Sequence, residues 1–168
     1  MSEAAPPVPG RARWLGFAAL AAGLAMIVLD GTVVSIAMPA MIDDLGFGLA
    51  DAQLVNSIYP VVFAALLLTF GRLGDRHGRR LVFLIGVVVF AVASLTAAGA
   101  TDVSELIASR SLQGVGGAMI LPATLSTVNA TFRGRDRSLA FGLWGAIMAA
   151  AAAIGPLLAG WLTTSFSW

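Results

Sequence analysis

Gly71-Arg72-Leu73-Gly74-Asp75-Arg76-His77-Gly78-Arg79-Arg80 lies between two long apolar stretches, and its reading decides the fold. It holds four of the chain's ten basic residues, all of them arginine, together with three glycines and one acid. The flanks, 54–70 and 81–100, are each about long enough to cross a bilayer, which takes roughly 20 apolar residues as a helix. A basic turn between two such helices belongs on the cytoplasmic side, where Arg-rich short loops are retained during insertion. A turn that only sets topology accounts for the arginines. It leaves unexplained the glycines that frame a single aspartate.

Composition points the same way. The hydrophobic fraction is 58% and the charged fraction 11%, against about 25% charged in soluble domains. The chain has no cysteine, which excludes a disulfide framework and a thiolate metal site. Its one histidine sits in the basic turn, so no His cluster exists. No thiol, His cluster or pair of intramembrane carboxylates supplies enzyme chemistry, and the protein reads as not an enzyme. The net charge of +1 says little about partners because the charge is sorted by side. The expected partner is the lipid bilayer, not nucleic acid.

Five apolar stretches follow one another, at about 14–38, 54–70, 81–100, 103–128 and 139–162. Their length suits helices, and only helices or closed barrels satisfy the backbone inside lipid. The period-2 alternation of a barrel strand is missing. The first stretch is expected to end at Pro39, and residues 1–13, with Pro6, Pro7 and Pro9, read as a disordered tail. A cleaved signal peptide is not expected, since the first apolar run far exceeds an h-region of about 7–15 residues. The fold class is therefore all-α, a polytopic membrane protein of about five spanning helices.

The arginines orient it. Arg11 and Arg13 precede the first stretch, Arg72, Arg76, Arg79 and Arg80 join the second to the third, and Arg133, Arg135 and Arg137 join the fourth to the fifth. The other connections carry Asp43, Asp44, Asp51, Asp102 and Glu105, with no base. Positive residues in short loops mark the cytoplasmic side. The N-terminus is expected inside and Trp168 outside, with Trp14 and Trp161 near the interfaces.

These residues resemble a family. Gly71 to Arg80 is similar to the loop G-x-L-a-D-r-x-G-r-k of the major facilitator superfamily, between its second and third helices. Arg110-Ser111-Leu112-Gln113-Gly114-Val115-Gly116-Gly117-Ala118 resembles the family's R-x-x-q-G-x-g-a motif. Leu29-Asp30-Gly31-Thr32-Val33-Val34-Ser35-Ile36-Ala37-Met38-Pro39 is similar to L-D-x-T-(I/V)-V-N-x-A-L-P of the fourteen-helix drug:proton antiporters, with Ser35 for Asn and Met38 for Leu. Gly155-Pro156-Leu157-Leu158-Ala159-Gly160 resembles their G-P-x-x-G-G, with Ala159 for one glycine. The motifs stand in the family's order and cover nearly the whole chain.

The resemblance implies most of an N-terminal six-helix half, whose 3+3 inverted repeats place substrate at the midplane between two halves. The remaining transporter helices are then missing partners, and no complete substrate cavity is expected here. The implied function is proton-coupled efflux of drugs or other small amphipathic molecules. The proton gradient is the energy source, and no cofactor is needed. A metabolite or sugar symporter, or a non-transporting truncated module, are the alternatives. Gly71, Gly74, Asp75, Arg76, Gly78, Arg79 and Arg80 are implied to form a conformational gate. Gly155, Pro156 and Gly160 are implied to bend a helix against proton leak or wrong exchange.

From the residues themselves, Asp75 is expected to cap the N-terminus of the following or a neighbouring helix, where a carboxylate meets the positive end of the dipole. The alanines between Ala146 and Ala153, with Gly155, Pro156, Ala159 and Gly160, form a small-residue packing surface. Asp30 and Arg110 stand inside spanning stretches, where a charge costs at least about 2.5–3.5 kcal/mol. Their depths, counted from Pro39 and Val103 at about 1.5 Å per residue, agree within one turn. They are expected to meet, with Asp30 carrying the coupling proton and Arg110 tuning it. Gln113 and Gly117 share the face of Arg110, with Gly114 beside them. A static ion pair that fixes helix register is the structural alternative. Asn56, Ser57, Tyr59, Thr69, Ser94 and Thr96 remain without an assigned role.

Overall fold

The computed structural model describes residues 10–165, which form α1 (Gly10–Leu45), α2 (Leu49–His77), α3 (Arg79–Ala98), α4 (Val103–Thr131) and α5 (Gly134–Ser165). The expected tail at 1–9 and the placement of Trp168 lie outside the described residues. Gly10 to Arg13 do not belong to a tail: they are the first turn of α1. Helices α1, α2, α3 and α5 are long and apolar enough to cross a membrane. The fourth expected span falls short on apolarity, and its position explains why. α4 is the axis of the bundle, with α2 and α3 packed along it, while α1 pairs with α5 and touches α4. Its buried residues run around the helix and include Ser109, Arg110, Gln113 and Thr124. Shielding by neighbours lets it hold polar groups that a lipid-facing helix does not tolerate.

Two helix ends differ from the sequence expectation. α1 does not stop at Pro39 but continues to Leu45. A proline forfeits one backbone hydrogen bond, whereas opening the helix at membrane depth leaves several groups unsatisfied at several kcal/mol each. Pro60, Pro122 and Pro156 are likewise carried inside helices. The charged passage is also not a ten-residue turn. Gly71, Gly74, Asp75 and Arg76 are the last turns of α2, and Arg79 and Arg80 open α3. Gly78 alone makes the link, at φ 100°, a conformation that side chains disfavour. Arg76 and His77 in the last turn of α2 complement its negative end.

Close helix approach is built on glycine along α4. A Cβ placed on Gly116 falls 2.8 Å from the Phe90 amide nitrogen and 2.9 Å from the Gly86 carbonyl oxygen on α3. On the opposite face, a Cβ on Gly114 falls 2.8 Å from the Tyr59 carbonyl oxygen on α2. Backbones meet here because membrane helices associate by packing.

The three apolar clusters divide the bundle by depth. One gathers Phe17, Ala21, Val128, Phe132 and Ala140 at the arginine-rich end. A second, with Leu24, Phe83, Phe90 and Ile120, fills the middle. A third, with Met38, Met41, Phe47, Val55 and Leu106, closes the acidic end. Asp102 caps α4 at that end, accepting from the amides of Ser104 and Glu105 at 2.8 and 2.9 Å. The Ser104 hydroxyl, followed by these amides, holds its carboxyl below the usual aspartate value.

Candidate functional site

Between the middle and acidic-end clusters the apolar packing is interrupted by one polar network drawn from four helices. Arg110 of α4 donates through Nη1 to Asp30 Oδ2 of α1 at 2.5 Å and to Gln113 Oε1 at 2.7 Å. Gln113 Nε2 donates to Asp30 Oδ1 at 2.6 Å and to Ser94 Oγ of α3 at 2.9 Å. The Arg110 guanidinium lies over the Tyr59 ring of α2, 4.7 Å from its centroid. Both oxygens of Asp30 therefore have donors, and Gln113 works through both ends of its amide.

The sequence motif accounts for the local arrangement. Arg110 and Gln113 are three residues apart on α4, so they share one face, and the two hydrogen bonds to Asp30 form one clamp. Side-chain exposure separates the members: Arg110 retains 2% and Asp30 13%. The carboxylate is thus the more accessible partner. A pair in such surroundings needs good geometry and its remaining groups satisfied to offset desolvation.

Several expected site residues converge and others do not. Asp30, Arg110 and Gln113 meet, although Asp30 stands fifteen residues before the true end of α1. The two charges still lie at one depth because α1 runs on past the start of α4. Gly114 and Gly117 face α2, where Cβ atoms on them meet Tyr59, Val62 and Phe63. Gly155 packs on Thr32, two residues from Asp30, with a built Cβ 2.8 Å from Thr32 Cβ. Ala151, Gly155 and Ala159 form the buried seam of α5, while Pro156 is exposed. Nothing lies within 4 Å of a Cβ on Gly160, so the motif's last glycine is off this seam and its alanine replacement is on it.

The charged passage lies apart from the network, at the arginine-rich end. Asp75 does not cap a helix: α3 has no side-chain cap at Gly78. Instead Asp75 accepts from Arg79 Nη2 at 2.9 Å and Nε at 3.1 Å, across the glycine link. Arg79 Nη1 then donates to the Ser126 carbonyl of α4 at 2.7 Å. The i,i+4 spacing satisfies the acid locally, and the arginine fastens the link to the axial helix. A Cβ built on Gly71 would come into ordinary contact with Pro122 of α4, and one on buried Gly74 would meet Arg79. Arg76 and Arg80 are exposed. At the same end Arg13 pairs with Asp136 at 3.4 Å, joining α1 to α5.

Two contributors lacked an assignment from sequence, Tyr59 and Ser94. The available signal was modest: Tyr59 is the chain's one tyrosine, and Ser94 is a hydroxyl within an apolar run. Among the described residues no group of His, Cys, Asp and Glu is arranged to hold a metal ion.

Comparison with known proteins agrees with this architecture. The Major Facilitator Superfamily profile matches residues 13–168. The puromycin resistance protein of Streptomyces alboniger is 40% identical over the whole chain, which covers 34% of that protein. The tetracenomycin C resistance and export protein of Streptomyces glaucescens is 38% identical over 92% of this chain and 29% of its own length. A multidrug efflux pump of Mycolicibacterium smegmatis is 39% identical over 95% of this chain and 32% of its own length. The chain spans about a third of the curated relatives it matches. Matched over nearly all its residues and built of apolar helices, this multi-pass membrane chain belongs to the Major Facilitator Superfamily.

Proposed function

We propose that this chain acts within a proton-coupled exporter of drugs or other small amphipathic molecules, in which Asp30 carries the coupling proton and Arg110 tunes it. The supporting observation is the buried Asp30–Arg110–Gln113 clamp between α1 and α4. A carboxyl takes up a proton when the cation beside it moves away and releases it when the cation returns. The guanidinium stays charged throughout. A change in the spacing of α1 and α4 then becomes proton loading and release. The relatives' names, resistance and export proteins among them, favour export over metabolite uptake. Proton-gradient energy makes a cofactor unnecessary. The remaining helices of the transporter complete the substrate path, and the Asp75–Arg79 link acts with them as the conformational gate.

The test is exchange in proteoliposomes holding the intact transporter. An imposed pH gradient should drive a cationic dye uphill, and dye added without a gradient should move protons the opposite way. Arg110→Lys should rescue poorly, because one ammonium does not reproduce the planar grip on Asp30 and Gln113. Uphill transport indifferent to the gradient would refute proton coupling.

In this exporter the N-terminus and the arginine-rich end lie on the cytoplasmic face of a bacterial inner membrane. The chain has no cysteine, so its own residues add no background to single engineered thiols, and the unsubstituted transporter is the labelling blank. In intact cells, thiols at Arg76 and Arg135 should resist an impermeant reagent, and those at Asp44 and Asp102 should react. Labelling of position 76 from outside would overturn the orientation.

A further inference from the structure

We propose that Tyr59 is a positioning residue of this network: the face of its ring is a second seat for the Arg110 guanidinium, used when Asp30 is neutral. The inference rests on the proposed coupling role of Asp30 and Arg110, and concerns what holds the cation once its counter-ion is lost.

The geometry separates the ring from its hydroxyl. The Arg110 guanidinium lies 4.7 Å from the ring centroid, inside the reach of about 6 Å over which a cation is drawn to an aromatic face. The Tyr59 hydroxyl is buried without a hydrogen-bond partner, so it does not anchor the side chain. The ring is held by aromatic neighbours instead: Phe63 stacks on it at 6.0 Å, and Phe90 of α3 meets it edge-on at 6.5 Å. Arg110 Nε also has no partner. The cation is therefore held by Asp30 from α1, Gln113 on its own helix and the Tyr59 face from α2.

Among the described residues, the charged and titratable groups that bond or stack within this network are Asp30, Arg110 and Tyr59. α3 supplies the uncharged Ser94 and α4 the uncharged Gln113. When Asp30 takes up a proton the ion pair vanishes, yet the guanidinium remains charged and must not be left unpartnered in an apolar interior. Bonded to Asp30 the guanidinium stands 4.7 Å from the Tyr59 ring centroid; released from the carboxylate, it settles closer onto that face and gains more from it. Only this extra attraction, present when Asp30 is neutral, shifts the protonation equilibrium. The ring thus favours the proton-loaded state, and weakening it should require more acid to load the site.

The measurement is the pH profile of exchange by the intact transporter, with Tyr59→Phe and a series of increasingly fluorinated phenylalanines at position 59. Fluorination keeps the ring's shape while draining negative charge from its face, so packing against Phe63 and Phe90 is preserved. Tyr59→Phe should keep the wild-type profile. The series should move it stepwise toward acid, reaching about one pH unit for the most fluorinated ring. A profile unmoved along the series would overturn the ring seat, as would Tyr59→Phe losing as much as Tyr59→Leu. Asp30→Asn run beside it distinguishes the two failures. If Asp30→Asn still couples to protons, the coupling site itself is wrong and this inference falls with it. If Asp30→Asn uncouples while the series stays at the wild-type profile, only the role of Tyr59 is refuted.

Discussion

Asp30→Asn should abolish proton-driven efflux in the intact transporter, down to the level of membranes without it, while the protein still inserts. Asparagine keeps the shape of aspartate and removes the titrating charge. It also changes the hydrogen-bond inventory from two acceptors to one acceptor and one donor. In the native network Asp30 accepts from Arg110 on one oxygen and from Gln113 on the other. An asparagine oxygen can still accept from Arg110, but its amide then faces the Gln113 amide, donor against donor. Flipping Gln113 relieves that clash and withdraws its oxygen from Arg110, to which it now lies at 2.7 Å. Either way the guanidinium loses part of its shell as well as its counter-ion, and breaking a buried pair costs about 3–5 kcal/mol. Two readouts are therefore needed. Amount and monodispersity of the variant report folding, and gradient-driven uphill transport reports coupling. Full proton-coupled efflux across the neutral pH range would leave the pair a structural brace.

Gly116→Leu should prevent α3 and α4 from docking, the largest stability effect expected from one substitution. The obstruction at Gly116 begins at the first added carbon, which meets the Phe90 amide nitrogen at 2.8 Å and the Gly86 carbonyl at 2.9 Å. Those are backbone atoms and do not rotate away. α4 would have to leave α3, and with it the Gln113–Ser94 bond and the Ser109–Thr96 bond. Overpacking typically costs about 1–3 kcal/mol and more when the backbone is pinned. Gly116→Ala should fall in that range and Gly116→Leu beyond it. Gly142→Ala is the control, because nothing stands within 4 Å of its Cβ. There the same added methyl should be neutral or stabilising by about 0.5–1 kcal/mol through helix propensity. Thermal unfolding in detergent, followed by circular dichroism, compares the three. A Gly116→Ala midpoint equal to that of Gly142→Ala would mean that the helices are not in backbone contact.

By itself the sequence determined the helices, their number, the sorting of charge to the two ends and the two intramembrane charges. Each follows from local composition: apolar length makes a span, and a charge inside one must find a partner. It also carried Arg110 and Gln113 on one face, since a separation of three residues along a helix is a geometric relation. Helix ends were less legible. Pro39 and the glycines at 71 and 74 read as breaks because their local preferences favour breaks. At Pro39 an open backbone in lipid costs more than a proline inside a helix, whereas Gly71 and Gly74 continue α2 where it runs beside α4 and the first turn of α3.

Only the tertiary structure decided which residues share a place. The alanine-rich tract of α5 offers no contrast along its length, so the seam of Ala151, Gly155 and Ala159 depends on which side α1 occupies. Asp75 turned from an expected cap to a bond with Arg79 because a one-residue link brings the next helix's first turn within its reach. Tyr59 and Ser94 entered the network because α2 and α3 flank α4 on faces that both look toward Asp30. Periodicity describes one helix at a time. The partners of a buried charge are set by how helices cross, and that depends on close approach at Gly114 and Gly116 against backbones distant in sequence.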